Sequence, residues 1–295
     1  MRSSLRQLSR RLGEAGHRAS APTVGRLLSV RDYSLRVNSK QEAGAEHPDR
    51  GAQFRYLEEQ KQAYLAAGKP VISVDTKKKE LVGNFANAGR AWGQGAERVN
   101  LHDFPQDALG RAVPYGIYDL RHNRGSVYVG ESADTPRFAV DAIVAWWEAE
   151  GQAAYPEAEE LLVLADSGGS NGCQPRAWKG QLQAQLADRL GLTVTVCHYP
   201  TGCSKWNPVE RRLFGPISVN WAGQPLRSFE RVVGLIRGTK NDGGLTVRAE
   251  RLPGTYPTGE TLTDAEMKQL ELERHATCPR WNYTIRPCHT AAAAG

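Results

Sequence analysis

The sequence has no long apolar run and no leader-like start. Its 295 residues contain no stretch of 18 or more hydrophobic residues, which is about the length that a membrane-spanning helix needs. The first residues also lack the apolar core of a signal peptide. We therefore expect a soluble, cytoplasmic protein that makes no membrane contact.

Cysteine is scarce and follows no pairing pattern. The chain has five, at Cys173, Cys197, Cys203, Cys278 and Cys288. An odd, scattered set is typical of free thiols in a reducing compartment. A zinc site can be drawn from Cys197, His198, Cys203, His275 and Cys278. Because no Cys-x-x-Cys pair is present, free thiols are the favoured interpretation.

Basic residues are in excess. The formal net charge is +6 and the sequence pI is about 9.1, while 40% of the residues are hydrophobic, enough for a core. A positive surface favours a polyanionic partner such as nucleic acid. The charge alone does not establish this partner, since many basic proteins bind no nucleic acid.

Residues 1–45 carry a pattern of their own. Leu5, Leu8 and Leu12 recur at helical spacing, and Ser20 is placed to cap a second helix that runs from Pro22 towards Val30. Beyond it, Tyr33, Leu35 and Val37 alternate as in a short strand. This succession predicts a helix-turn-helix with a wing, which is a DNA-binding arrangement.

The charge of this segment fits DNA contact. Between residues 2 and 31 the only acidic residue is Glu14, whereas seven residues are arginines: Arg2, Arg6, Arg10, Arg11, Arg18, Arg26 and Arg31. We expect the second helix to enter a DNA groove, with Arg26 among the DNA contacts. The alternative is a basic helical hairpin that packs on the rest of the protein. Residues 46–69 are then expected to form a polar linker and a helix.

Two apolar strands end in an aspartate. The run from Leu161 leads to Asp166 and a Gly/Ser loop, and the run from Pro70 leads to Asp75. Acids at the carboxyl ends of sheet strands lie where α/β proteins place their chemistry. A third acid, Glu210, falls in the first turn of a helix that we predict from Asn207 as N-cap and Pro208 as first residue.

The order of these elements predicts the fold. The strand with Asp75 is followed by two antiparallel strands, a helix, the strand with Asp166, a helix, a strand and the helix with Glu210. This is the succession of an α/β, RNase H-like (integrase-type) catalytic core, which we place at residues 70–240. Residues 241–295 are expected to form a C-terminal cap and a tail, disordered from Thr290.

The three acids suit metal-dependent phosphodiester chemistry. Such chemistry needs carboxylates that converge on two divalent ions, and Mg²⁺ prefers oxygen ligands. A lysine run, with Lys77 and Lys78, begins two residues after Asp75. These lysines are either a solvated turn or contacts to the phosphate backbone of the substrate.

Four segments carry a resemblance to a known family: Val74–Glu80, Leu164–Gly172, Ser204–Phe214 and Trp281–Ile285. Over essentially its whole length the chain resembles insertion-sequence transposases with a DDE domain of the Rhodopirellula type, the ISAzo group. The resemblance implies that Asp75, Asp166 and Glu210 bind Mg²⁺, with Mn²⁺ as an alternative. It also places Asn171, Lys205 and Arg211 beside the metal site or on the DNA.

The resemblance implies hydrolytic nicking at element ends, followed by attack of the freed 3′-OH on target DNA. The partners would be the terminal inverted repeats and the target DNA, bound by a homo-oligomer that brings two ends together. Family members begin upstream of the helix-turn-helix, so we expect a shortened copy with impaired end recognition. The motif around Cys203 and Pro208 also departs slightly from the family pattern.

Two other functions remain open at this point. One is a decayed, non-catalytic transposase that still binds DNA as a regulator. The other is an RNase H-like nuclease that acts on RNA–DNA hybrids. Retention of all three acids argues against the regulator, and a comparison of duplex DNA with hybrid substrate would distinguish the nuclease.

Overall fold

The computed structural model describes residues 4–34 and 47–288. The chain divides into two compact units, residues 1–45 and residues 46–295. None of the helices within the described ranges is both long and apolar enough to cross a bilayer.

The first unit contains two helices, α1 (Leu5–Glu14) and α2 (Ala21–Val30). Ser4 and Ser20 cap them, each accepting a hydrogen bond from a backbone N–H in the first turn. Val24 is buried, whereas Leu27 is exposed. The expected strand from Tyr33 to Val37 lies outside the described residues from position 35 onward, as does the linker up to position 46. The DNA-binding role of this unit stays a prediction.

The second unit is built on a mixed sheet with helices on both faces. Its strands are β1 (Val71–Thr76), β2 (Glu80–Val82), β3 (Gly110–Asp119), β4 (Arg124–Gly130), β5 (Glu160–Asp166), β6 (Thr193–Tyr199), β7 (Thr246–Arg251), β8 (Leu272–Arg274) and β9 (Asn282–Ile285). Its helices are α3 (Arg50–Ala66), α4 (Pro136–Trp146), α5 (Gln152–Ala154), α6 (Arg176–Gln181), α7 (Gly215–Asn220), α8 (Phe229–Arg237) and α9 (Asp264–Met267).

Three π-helical stretches continue or precede these helices, at Trp147–Gly151, Leu182–Asp188 and Glu210–Phe214. The last of them belongs to a helix that is already helical at position 208 and runs on into α7. We call the span 208–220 the Glu210 helix.

The strand order confirms the predicted α/β, RNase H-like class. The order is β7-β4-β3-β1-β5-β6-β9-β8, with β2 paired to β3. β3 and β4 run antiparallel beside β1, whereas β5 and β6 follow it in parallel. A three-strand antiparallel half therefore joins a parallel half at β1 and β5, the two strands that carry the predicted aspartates.

The central strands have continuous apolar sequences because both of their faces are buried. On one face, Ile72 of β1 and Val163 of β5 pack against α4 and α6. On the other face, Leu162 and Leu164 pack against α3, and the Glu210 helix with α8 covers β3 and β4. Strands buried on both faces need apolar residues at successive positions, which is the pattern seen before each aspartate.

One prediction for the strands needs correction, and one pairing is not between sequence neighbours. β2 pairs with β3 rather than with the preceding strand β1, because the chain between Val82 and Gly110 returns to the start of β3. The C-terminal segment was expected to cap the sheet, yet its strands extend both sheet edges. β7 lies parallel to β4, and β9 lies antiparallel to β6. The tail from Thr290 lies outside the described residues.

Candidate active site

Asp75 and Asp166 lie at the same end of neighbouring strands. β1 and β5 are parallel, and their register pairs Val74 with Ala165, directly before each acid. Each carboxyl group therefore follows a fully buried apolar residue, and both lie at the carboxyl ends of the two central parallel strands. Glu210 enters from the first turn of the Glu210 helix, which packs on β3 next to β1.

The acids interact strongly with one another. Burial and then the charge of Asp166 raise the pKa of Asp75 to about 8. Burial and the charge of Glu210 raise the pKa of Asp166 to about 6, against the lowering effect of a hydrogen bond from Asn207. Burial raises the pKa of Glu210 as well, and its charge is among the causes that raise the pKa of Asp75. Half-buried like charges of this kind favour either a shared proton or a bound cation.

A fourth carboxylate, Asp134, stands next to Asp75. Thr76 donates its backbone N–H to Asp75 Oδ1 at 2.7 Å and its hydroxyl to Asp134 Oδ1 at 3.0 Å. Lys79 pairs with Asp134 at 3.3 Å. The sequence indicates Asp134 only as part of a helix start, because nothing in the local pattern reveals that this turn returns to the end of β1.

Asn207 ties the strands to the Glu210 helix. This fully buried side chain donates from Nδ2 to Asp166 Oδ1 and to the Val74 carbonyl, both at 3.1 Å. Its Oδ1 accepts the Ser73 hydroxyl at 2.5 Å. Ser73 Oγ in turn accepts the backbone N–H of Val209 at 2.8 Å. The side-chain cap of the helix is thus supplied by Ser73, whereas the predicted N-cap residue Asn207 orients a carboxylate.

We expect Asn207→Ala to slow the DNA nicking that the family resemblance implies by about 10- to 100-fold, the scale of losing a side chain that orients a metal ligand. The change removes a hydrogen bond to Asp166 and leaves Ser73 without its acceptor. The measurement is the nicking rate alongside DNA affinity, which should change little. Asn220→Ala is the matched control, because Asn220 donates to the Leu235 carbonyl and no interaction links it to the acids. Equal losses in both variants would contradict the role of Asn207.

A buried hydrogen-bond chain reaches Asp166 from the C-terminal segment. Trp178 Nε1 donates to the Tyr283 hydroxyl at 2.9 Å, and that hydroxyl lies 3.2 Å from His198 Nε2. His198 Nδ1 lies 2.8 Å from the Asp166 carbonyl. Burial lowers the pKa of His198 to about 4, so the ring is neutral, donates from Nδ1 and accepts at Nε2. The Trp281–Ile285 motif therefore braces the strand end that carries Asp166.

The two histidines considered for a zinc site have other partners. Both ring nitrogens of His198 are in the chain just described, and those of His275 contact the Tyr56 hydroxyl and the Thr284 hydroxyl. All five cysteines are free thiols. Within residues 4–34 and 47–288, no group of three or more His, Cys, Asp and Glu side chains is arranged to hold a metal ion.

The predicted DNA contacts fall into two groups. The side chains of Lys78, Lys205 and Arg211 are exposed in the second unit. Lys77 instead is buried, with its ammonium 4.6 Å from the centre of the Trp221 ring, and burial lowers its pKa. Asn171 is also buried, and its side-chain amide has no hydrogen-bond partner among the described residues. Arg26 belongs to the first unit.

Two glycines let the Glu210 helix lie close against the sheet. A Cβ on Gly116 of β3 would stand 2.3 Å from Phe214 Cε1, and one on Gly125 of β4 would stand 2.3 Å from Leu213 Cδ1. Gly116 is also the register partner of Asp75 across β1 and β3. The absence of side chains at these positions thus sets the distance between Glu210 and the strand that carries Asp75.

The three acids have the ligand chemistry that a divalent cation needs, although within residues 4–34 and 47–288 they do not form a ready-made group of three ligands. Hard cations such as Mg²⁺ take oxygen ligands, and Asp75, Asp166 and Glu210 offer them from three elements. Burial raises all three pKa values, and repulsion between carboxylates raises those of Asp75 and Asp166 further, a cost that a bound cation would relieve.

Comparisons with known proteins identify the family. The family described as "Rhodopirellula transposase DDE domain" matches residues 1–287. No curated protein matches the chain.

Distant likenesses to solved structures are also found. The mariner Mos1 paired end complex with Mg is 15% identical, with a TM-score of 0.48 over 78% of this chain and 64% of that one. The Mos1 transposase paired-end complex with left transposon end is 14% identical, with a TM-score of 0.46 over the same shares. This chain thus spans less than two thirds of those proteins, and the assignment does not depend on them. Because the family match covers nearly the whole sequence, the chain belongs to the Rhodopirellula-type DDE transposase family.

Proposed function

We propose that the protein is a DNA transposase that nicks DNA at the ends of its element and joins the freed 3′-OH to target DNA. The observation that supports the proposal is that Asp75 and Asp166 end neighbouring parallel strands and that the charge of Glu210 raises the pKa of both. These acids come from two neighbouring strand ends and one helix start, and their pKa values are raised together. Family membership supplies the reaction class.

In this proposal the three acids hold Mg²⁺, or Mn²⁺ in its place. The metal, when bound, activates the attacking oxygen and stabilises the leaving oxygen of the phosphodiester. Asn207 fixes the orientation of the Asp166 carboxylate through its hydrogen bond. Ser73 holds the start of the Glu210 helix, and with it the third acid, against β1.

The DNA contacts follow from charge and exposure. Lys78, Lys205 and Arg211 are exposed cations near the acids in sequence, and we assign them to the phosphate backbone. Arg26 of α2 would contact the terminal inverted repeats. Joining two ends in one reaction requires both to be held together, so the active form is expected to be a homo-oligomer on DNA, acting in the cytoplasm.

The test is nicking of a supercoiled plasmid that carries the element with both of its genomic ends. We expect nicks at the element ends with Mg²⁺ or Mn²⁺ and none with EDTA. DNA binding without nicking under all metal conditions would favour the non-catalytic regulator. Faster cleavage of the RNA strand in an RNA–DNA hybrid than of duplex DNA would favour the nuclease.

A further inference from the structure

An aromatic cavity opens beside the Glu210 helix, and the proposed chemistry does not use it. Its volume is about 560 Å³, and it lies between the start of α3 and the 3₁₀ turn Ser204–Trp206. The lining residues are His47, Pro48, Arg50, Gly51, Phe54 and Trp206. A cavity of this size is within the range that takes small organic groups.

Trp206 offers an open aromatic surface on a fixed support. Its side chain is 48% exposed, and its ring meets Phe54 edge-on, with the centroids 6.0 Å apart. Its backbone N–H donates to the carbonyl of buried Cys203 at 2.9 Å. The ring is therefore presented to solvent from a turn that is anchored on both sides, since the next residue, Asn207, is fully buried.

The surroundings of the cavity are cationic. The Arg50 guanidinium lies 5.7 Å from the centre of the Phe54 ring, and Lys205 Nζ lies 5.7 Å from that of Trp206. An adjoining cavity of about 320 Å³ is lined by Lys205, Trp206 and Arg211. Among the described residues that line either cavity, none is acidic. This charge suits a ligand with phosphates next to a flat apolar group.

The cavity is also adjacent to the proposed metal site. Trp206 is bonded to Asn207, whose Nδ2 lies 3.1 Å from Asp166 Oδ1. Arg211, which lines the smaller cavity with Trp206, follows Glu210 directly, so a DNA strand with a phosphate at the acids would run close to the Trp206 ring. In a duplex the base faces are covered by their neighbours, so only an unpaired or flipped base could stack on this ring.

We propose that this cavity binds one unpaired nucleobase of the DNA strand next to the phosphate that is cut. The base stacks on Trp206, while Lys205 and Arg211 contact the flanking phosphates. The inference rests on the proposed function, because that function brings a DNA strand to the acids. It adds a step in which one base leaves the duplex at the element end, where strand separation exposes the phosphodiester.

The test compares two labelled single strands of equal charge, twelve thymidines and twelve abasic tetrahydrofuran residues. Binding is followed by fluorescence anisotropy on the full chain carrying Asp166→Asn, so that no cleavage interferes. We expect tighter binding of the thymidine strand. Adding Trp206→Ala should weaken that binding by roughly 5- to 100-fold, the range for losing one stacked base. Binding of the abasic strand should stay unchanged.

Two further variants keep the test specific. Trp206→Phe keeps a stacking ring and should retain most of the preference for bases. Trp92→Ala removes another tryptophan, fully exposed in the loop between β2 and β3, and should leave both affinities unchanged. An unchanged preference for bases in Trp206→Ala would overturn the proposal, as would equal losses on both strands or an equal effect of Trp92→Ala. Equal loss on both strands would indicate contact with the backbone only.

The outcome is separable from that of the proposed function. If the plasmid is nicked with Mg²⁺ but Trp206→Ala keeps its preference for bases, the base site is wrong and the transposase remains. If no nicking occurs but the preference depends on Trp206, the base site remains without the chemistry.

Discussion

Asp166→Asn is expected to abolish nicking at the element ends, by at least about 10³-fold, the scale seen when one member of a catalytic unit is removed. The amide keeps an oxygen for the hydrogen bond from Asn207 but loses the negative charge that would hold the cation. The fold should persist, because β5 is stabilised by its buried apolar run. The substitution also removes a half-buried negative charge that repels Asp75 and raises its pKa. The thermal stability of the metal-free protein should therefore stay unchanged or rise.

The two readouts together separate chemistry from folding. Nicking rates are measured on the plasmid with both ends, and thermal unfolding is measured in EDTA. Asp242→Asn is the matched control, since Asp242 lies exposed in the turn before β7 and should keep full activity. Persistent nicking by Asp166→Asn would remove Asp166 from the site, and with it the assignment of all three acids.

Gly116→Ala is expected to reduce both stability and nicking, although Gly116 carries no functional group. The added Cβ would stand 2.3 Å and 2.6 Å from Cε1 and Cζ of Phe214, and 3.2 Å from Val209 Cγ2. Phe214 and Val209 are buried, so the Glu210 helix must shift away from β3. Overpacking of this kind costs about 1–3 kcal/mol. Displacement of Glu210 from Asp75 should lower nicking by at least about 10-fold, as small misplacements in catalytic sites do.

A second substitution makes the cause testable. Phe214→Leu removes the ring atoms that the new Cβ would strike, so the Gly116→Ala/Phe214→Leu double variant should recover more nicking than the sum of the single effects predicts. The stability comparison is made by urea unfolding. Gly234→Ala in α8 is the control, because its Cβ would meet no atom within 4 Å. Additive losses in the double variant would mean that Gly116 acts by some route other than the packing of the Glu210 helix.

The sequence was informative where local pattern decides structure. Asp75 and Asp166 could be placed because a fully buried strand needs a continuous apolar run, and the polar residue that ends the run marks the sheet edge. Glu210 could be placed because Pro208 suits the first position of a helix, where the structure has it. These local signals, in their order along the chain, were enough to predict the RNase H-like core.

Other features depend on contacts between distant segments. Ser73 caps a helix more than 130 residues away, which leaves Asn207 to bind Asp166. No local sequence pattern encodes this packing. The pairing of β2 with β3 and the place of β9 beside β6 are likewise long-range. The burial of Lys77 on Trp221 belongs to the same class, since a lysine run normally indicates a solvated turn.

We propose that Asp75, Asp166 and Glu210 form one metal site. The most direct test is anomalous X-ray diffraction from crystals of the protein soaked in Mn²⁺. We expect an anomalous peak within coordination distance, about 2.0–2.6 Å, of oxygens from both Asp75 and Asp166. The peak should disappear in Asp166→Asn crystals. A Mn²⁺ peak bound elsewhere, with none between these two carboxylates, would mean that the acids do not form a metal site.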